Sequence, residues 1–344
     1  QALYLNTTAS NNTAVGYQAG YSNTTGAGLS AVGIYALYSN TTGASNSAMG
    51  NSAMLLNTTG SSNTAMGVEA LRSNTTASNN TAVGYRAGYS NTTGTRITAV
   101  GYLAATGGTG SAPSYSVAVG SYALTSATTG DSNTAVGDNS MAQTNTGAAN
   151  TAVGQSSLTA NTTGSNNTAL GLSALQANTT ASSNTAVGYQ AGYSNTIGVG
   201  NVYIGKTTGY SASGNYNTFV GNSTGSLTTS GSGNTFIGTV GSAGAVGCGY
   251  LLSTGNNNTI IGGFTGNNGG LDIRTADNYI VLSDGAGTPS FVSNVTTTNR
   301  YVYNSGSTFV PATDNVTSLG GASNRWTTVY ATTALINTSD ANTK

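Results

Sequence analysis

Side chains able to do chemistry are scarce in this sequence, and the scarcity narrows its function. The 344 residues include no histidine, one cysteine (Cys248), eight basic and eight acidic side chains. A Cys/His zinc site and a Ser-His-Asp triad are both excluded, and Cys248 has no internal disulfide partner. Glu69, Arg72, Arg86 and Arg96 are too scattered along the chain for a catalytic pair and read as solvated surface charges. No cofactor and no metal are expected. A formal net charge of zero lacks the basic footprint of a nucleic-acid binder. No apolar run approaches the ~20 residues that span a bilayer, so membrane insertion is not expected either.

The polar groups that do recur are Asn, Thr and Tyr. Asn-Thr-Thr at Asn23, Asn40, Asn57, Asn74, Asn91, Asn161 and Asn178 is a glycosylation sequon in form, but turn chemistry explains it, because Asn and Thr side chains bond the backbone of their own turn. Adjacent threonines in a turn cannot share a face, which argues against an ice-binding surface. Tyr17, Tyr21, Tyr85, Tyr89, Tyr189 and Tyr193 take matched places and could stack on sugars. The stronger reading makes them half-buried fillers with a wet hydroxyl.

What positions these groups is a repeat. Glycines at 16, 33, 50, 67, 84, 101, 120, 137, 154, 171, 188, 205, 221, 238 and 262 mark units of which eleven of fourteen steps are 17 residues. A fixed short period means stacked units, each touching its neighbours. The residue before each marker is apolar throughout: Val15, Val32, Met49, Met66, Val83, Val100, Val119, Val136, Val153, Leu170, Val187, Ile204, Val220, Ile237 and Ile261. The one before that is Ala in eleven units, then Tyr203, Phe219, Phe236 and Ile260. Neighbours on a strand point to opposite faces, so both faces of this short strand need cover. One face turns into the coil. The other is expected to meet further copies of the chain, three chains in all packed about an axis through the marker-adjacent residues. A second short strand is expected after each glycine, closing the coil through an Asn-Thr turn, while Gly-rich spacing argues against helices. Irregular lengths at residues 106–115 and 241–252 read as a surface turn and a change of coil geometry.

The units resemble the left-handed β-roll head repeats of trimeric autotransporter adhesins and related phage tail fibres, most closely in SVAVG at residues 116–120 and NVYIG at 201–205. The resemblance implies that the apolar-Ala-apolar-Gly strand lies at a trimer axis. Past residue 264 the chain changes character. It carries most of the Asp residues, two of three Pro and the sole Trp, and DNYIVLSDGAGTPSF reads as strand, Asp-Gly turn, strand. Leu319-Gly320, Arg325-Trp326, Tyr330, Ile336-Asn337 and Ser339-Asp340 then resemble the segment that, in many phage fibres and spikes, leads into an intramolecular chaperone auto-processing domain. That resemblance implies single-turnover self-cleavage, with the Ser339 hydroxyl as nucleophile and neutral Lys344 as its base.

The resulting expectation is an all-β protein: a β-solenoid or β-roll of 17-residue coils over residues 1–264, a β-rich fibre segment over 265–338, and the start of a chaperone domain over 339–344. The chain opens in mid-repeat, so an anchoring segment is expected before it. Its expected role is structural and adhesive, as an extracellular homotrimeric phage tail or appendage fibre that contacts a host surface receptor, a glycan among the candidates. It is not expected to be an enzyme beyond self-cleavage. A bacterial surface adhesin, a self-assembling filament, and an ice- or glycan-binding solenoid are the alternatives.

Overall fold

A computed structural model describes residues 1–107, 113–239 and 246–294, so the two irregular stretches fall partly outside the described residues. Among the described residues there is no helix, and the chain is an all-β solenoid. Fifteen strands of three residues each run from β1 (Thr13–Val15) to β15 (Thr259–Ile261), one per coil. Each pairs in parallel and in register with its counterpart one coil on, Ala14 with Ala31 and Val15 with Val32 at the start, Phe236 with Ile260 and Ile237 with Ile261 at the end. In-register pairing follows from the recurring strand motif, and where a step is longer than 17 residues, as from Ala99 to Ala118 or from Phe236 to Ile260, the extra residues lie outside the strands and the register holds.

The marker glycines make the corner after each strand. All of them have φ between +113° and +142°, and a Cβ on Gly154 would run into the carbonyl oxygen of Gly171 in the next coil. Glycine alone fits that conformation and that approach.

The segment beyond the corner is a correction to the expected second strand. It is a run of turns in which alternate residues are left-handed, such as Tyr35 at φ 58° and Leu37 at φ 52°. Alternation sends successive backbone groups to opposite sides: Tyr35 N–H donates back to Tyr17 O at 2.9 Å, and Leu37 N–H donates forward to Ala53 O at 3.0 Å. Left-handed non-glycine residues are strained, and these inter-coil bonds hold them in place on both sides.

Inside the coil, small and large side chains alternate by position. Strand alanines such as Ala31, Ala48 and Ala152 are fully buried, and Leu37, Met54, Leu71, Leu124, Met141, Leu158 and Leu175 fill the space opposite. Towards the last coils the exchange is reversed. Tyr203, Phe219 and Phe236 replace Ala and lie against Gly209, Gly225 and Gly249 where the leucine had been, with Phe219 and Phe236 stacked at 4.7 Å. Large-for-small swaps across one cavity conserve core volume, which is what a close-packed interior requires.

Two ladders of buried asparagine brace the turns. Asn57 donates to Asn40 Oδ1 at 2.7 Å and to its own turn at Gly60 O at 2.9 Å, and it accepts from Asn74 at 2.8 Å. The second ladder precedes the strand, where Asn63 N–H donates to Asn46 Oδ1 at 2.9 Å and the Asn63 amide caps Ala77 O. Buried amides need such complete pairing. Because the turn asparagines are buried, the sequons have no exposed acceptor nitrogen.

The parallel ladder continues past residue 264. After the short hairpin of β16 (Asn267–Asn268) and β17 (Leu271–Asp272), β18 (Tyr279–Ser283) adds in parallel to β15, with Ile260 against Val281 and Ile261 against Leu282. β19 (Pro289–Asn294) then runs antiparallel to β18 after the predicted Asp-Gly turn.

Candidate functional site

Three surfaces of the solenoid carry side chains with functional capacity. The first is the outer face of the strand ladder. While the strand alanines point inward, the marker-adjacent residues point outward: Val15 is 59% exposed, Met49 46%, Leu170 47% and Ile261 45%. All fifteen, from Val15 to Ile261, form one row, which Leu282 of β18 extends, also exposed. Two residues earlier on the same face stands a hydroxyl in most coils, such as Thr64, Thr81 and Thr151. An uninterrupted apolar row of this length is more than the scattered apolar side chains of an ordinary wet surface.

The second surface lies beyond the glycine corner. Glu69 and Arg86, one 17-residue period apart, meet in an ion pair, and Arg72 approaches the same carboxylate at 3.5 Å. These charges are read as scattered in sequence, and the stacking of coils brings them together. The hydrogen bond that Arg86 donates to Glu69 raises the arginine's pKa above its ordinary value. The Arg86 guanidinium sits 5.2 Å from the Tyr85 ring centroid and 5.0 Å from that of Tyr89, and Arg72 sits 5.7 Å from Tyr89, within cation–π range. Tyr85 stacks on Tyr102 at 5.4 Å, and Tyr102 meets Tyr122 edge-on at 5.4 Å. Tyr85 and Tyr89 were legible as repeat positions. Tyr102 and Tyr122 were not singled out, although their places, one residue after Gly101 and two after Gly120, are the signal that finds them. Tyr17, Tyr21, Tyr189 and Tyr193 belong to other aromatic contacts or stand apart from any arginine: Tyr21 stacks between Tyr4 and Tyr38, and Tyr193 on Tyr210.

The third is an open cleft near the end of the described chain, lined by Leu251, Ser253, Asp272, Arg274 and Thr275. Arg274 clamps Asp272 through Nε at 2.9 Å and Nη2 at 2.7 Å, and these hydrogen bonds hold the carboxyl below its usual range. A carboxylate so held stays ionised and is an anchor, not a proton donor. Among the other acids of this region, Asp277 accepts from Asn256 N–H at 2.6 Å, and Asp284 from Ala286 and Thr288 N–H at 3.0 and 2.8 Å. Both are backbone braces. No cluster of metal-ligating side chains is found among the described residues.

Ser339 and Lys344, the expected self-cleavage pair, lie outside the described residues.

Residues 275–338 match the family of the catalytic domain of bacteriophage endosialidase. The matched stretch is the aperiodic tail, and it ends one residue before Ser339. Together with the β-solenoid, the match fits a phage tail spike or fibre and suggests a virion tail appendage. No curated protein and no solved structure matches the chain. The expectation that the chain is not an enzyme beyond self-cleavage is corrected by this match, since the family is that of a catalytic domain and points to enzymatic tail-spike activity. That expectation arose because three quarters of the sequence is repeat, in which catalytic residue types are scarce, and because Asp284 in the tail read as part of an Asp-Gly turn. No helix among the described residues is long and apolar enough to cross a membrane.

Proposed function

We propose that this chain is the solenoid portion and adjoining segment of a trimeric phage tail spike that attaches to a host surface glycan containing sialic acid and hydrolyses it. The observation that carries the reading is the match of residues 275–338 to an endosialidase catalytic domain, beginning just after the fifteen coil strands and taking in β18 and β19. Glycoside hydrolysis requires a substrate held while its linkage is cut, and a spike supplies the holding surface at the particle's exterior.

Trimer formation is supported by the outer apolar row. Each of the fifteen marker-adjacent residues leaves an aliphatic side chain partly wet in a single chain. Three copies arranged about a common axis along that row would cover all of them at once, with the flanking threonine and serine hydroxyls at the rim.

Incubating the protein with polysialic acid and following reducing ends and polymer length tests the hydrolytic reading. Shortening of polysialic acid, with neutral dextran untouched, is the expected result. An undiminished polymer length after prolonged incubation with trimeric protein would refute it.

A further inference from the structure

We infer that the arginine–tyrosine strip on the fourth to seventh coils is a second glycan-holding site, separate from the matched tail, that takes an extended carboxylate-bearing polysaccharide laid along the stacking direction. The inference rests on the glycan-directed reading above and adds to it a location in the repeats. Six residues form the strip: Arg72, Tyr89, Arg86, Tyr85, Tyr102 and Tyr122, each touching the next through a ring or guanidinium contact.

Three observations support it. The first is charge: Arg72 and Arg86 face one carboxylate, Glu69, so the cluster is net positive in a repeat region that is otherwise almost uncharged. Arg86 gives Glu69 its Nε, and its Nη groups make no protein hydrogen bond among the described residues. A guanidinium edge in that state is a ready fork for a carboxylate. The second is exposure: Tyr85 is 39% exposed, Tyr102 47% and Tyr122 40%, and among the described residues Tyr115 beside Arg96 is the only other tyrosine ring of the repeats under an arginine. The interplanar angle of 74° between Tyr102 and Tyr122 leaves Tyr122 with a ring face that no other aromatic covers among the described residues. The third is pitch. Coils rise by ~4.8 Å, close to the advance of one sugar in an extended chain, and the Tyr85, Tyr102 and Tyr122 rings on three successive coils are spaced at 5.4 Å. Asp138, one coil beyond Tyr122 and in the same position of its unit as Tyr85 and Tyr102, places a negative charge at the far end and limits the strip to about three or four sugars.

Long polymers are thereby retained while the reacting linkage is cut elsewhere. The test measures equilibrium binding of the full chain to three probes: a polysialic acid fragment of about ten sugars, polygalacturonate, and neutral dextran. Both carboxylated polymers are expected to bind and dextran is not. In Arg72→Gln/Arg86→Gln, and separately in Tyr102→Ala, binding of the carboxylated probes is expected to fall about tenfold or more, with an unchanged melting temperature. Tyr193→Ala, which breaks a stacked pair without arginine, is expected to bind as the parent does. Cleavage of a short sialyl oligomer, too small to reach the strip, is expected to stay the same in all three variants. Binding within twofold of the parent in the arginine variant, or equal binding of dextran, overturns the strip whatever the cleavage assay returns. Absence of cleavage by the parent speaks against the hydrolytic reading, and the binding series still decides the strip.

Discussion

Replacing Val153 by Asp separates the solitary chain from the assembly, because the two give opposite costs for the same substitution. In one chain Val153 is half-buried on the outer strand face and its substitution touches no closed core, so the loss should stay within about 0.5 kcal/mol, as for other surface changes. In three chains about an axis along that row, three carboxylates would converge in an apolar seam. Each would carry an effective burial penalty of several kcal/mol, with mutual repulsion added. The seam that opposes this is itself large. Taking about 50 Å² of side-chain area per coil over the row gives roughly 800 Å² per chain, or about 20 kcal/mol as an upper estimate. One substitution should therefore open the seam locally and lower the melting temperature by several degrees, and Val119→Asp with Val136→Asp and Val153→Asp together should release monomers. Light scattering coupled to size exclusion reads the outcome directly against the 33.9 kDa chain. The introduced carboxyls would have raised pKa values in the seam, so the lost stability should return as pH falls through that raised range and the groups become neutral. A parent protein of single-chain mass, or a triple variant that keeps the parent's mass and melting point at neutral pH, would refute the reasoning.

Further perturbations test the coil itself. Gly154→Ala places a Cβ against the Gly171 carbonyl at φ +134° and should cost about 3 kcal/mol or more in denaturant unfolding, whereas Gly285→Ala, with open space around it, should be close to neutral. Asn57→Ala removes three buried hydrogen bonds and should destabilise by about 2–4 kcal/mol in the same assay. Burial pushes the Cys248 thiol up to about 12 from 9.0. Its raised folded value means that the associated stability is whole below pH 9 and is lost as pH climbs towards 12, at up to about 1.4 kcal/mol per unit. Cys248→Ala should flatten that alkaline slope, and native Cys248 should resist alkylation at pH 8 until the chain is unfolded.

Much of the coil was legible because its constraints are local and repeated. Ala14 and Val15 alternate as strand neighbours must, and Gly16 announces a corner that no other residue could occupy. The segment after the corner was misread as a strand because left-handed Tyr35 and Leu37 carry no residue-type signature. Their conformation is enforced by bonds from the coils on either side, which one unit's sequence does not display. Pairs such as Glu69 and Arg86 are distant in sequence and adjacent in space for the same reason, and only superposing units at the repeat length brings them into view. The exchange of Ala and Leu for Phe236 and Gly249 was half visible: the bulky residues stood out, but their compensating glycines lay in ordinary turn positions. The likeness to a catalytic domain was hidden differently, since the matched tail is aperiodic and its described acids, Asp277 and Asp284, are occupied with backbone.

Every coil of such a stack presents its successor with a row of unsatisfied amides and carbonyls, which is a template for indefinite addition. By reversing chain direction at Asp284, the protein offers β19 in place of another parallel rung. β19 therefore has the opposite polarity to the coil strands, with Pro289 at its start lacking an amide to donate. Among the described residues the parallel ladder thus passes into one antiparallel strand, so the rung beyond β18 differs in kind from the fifteen before it.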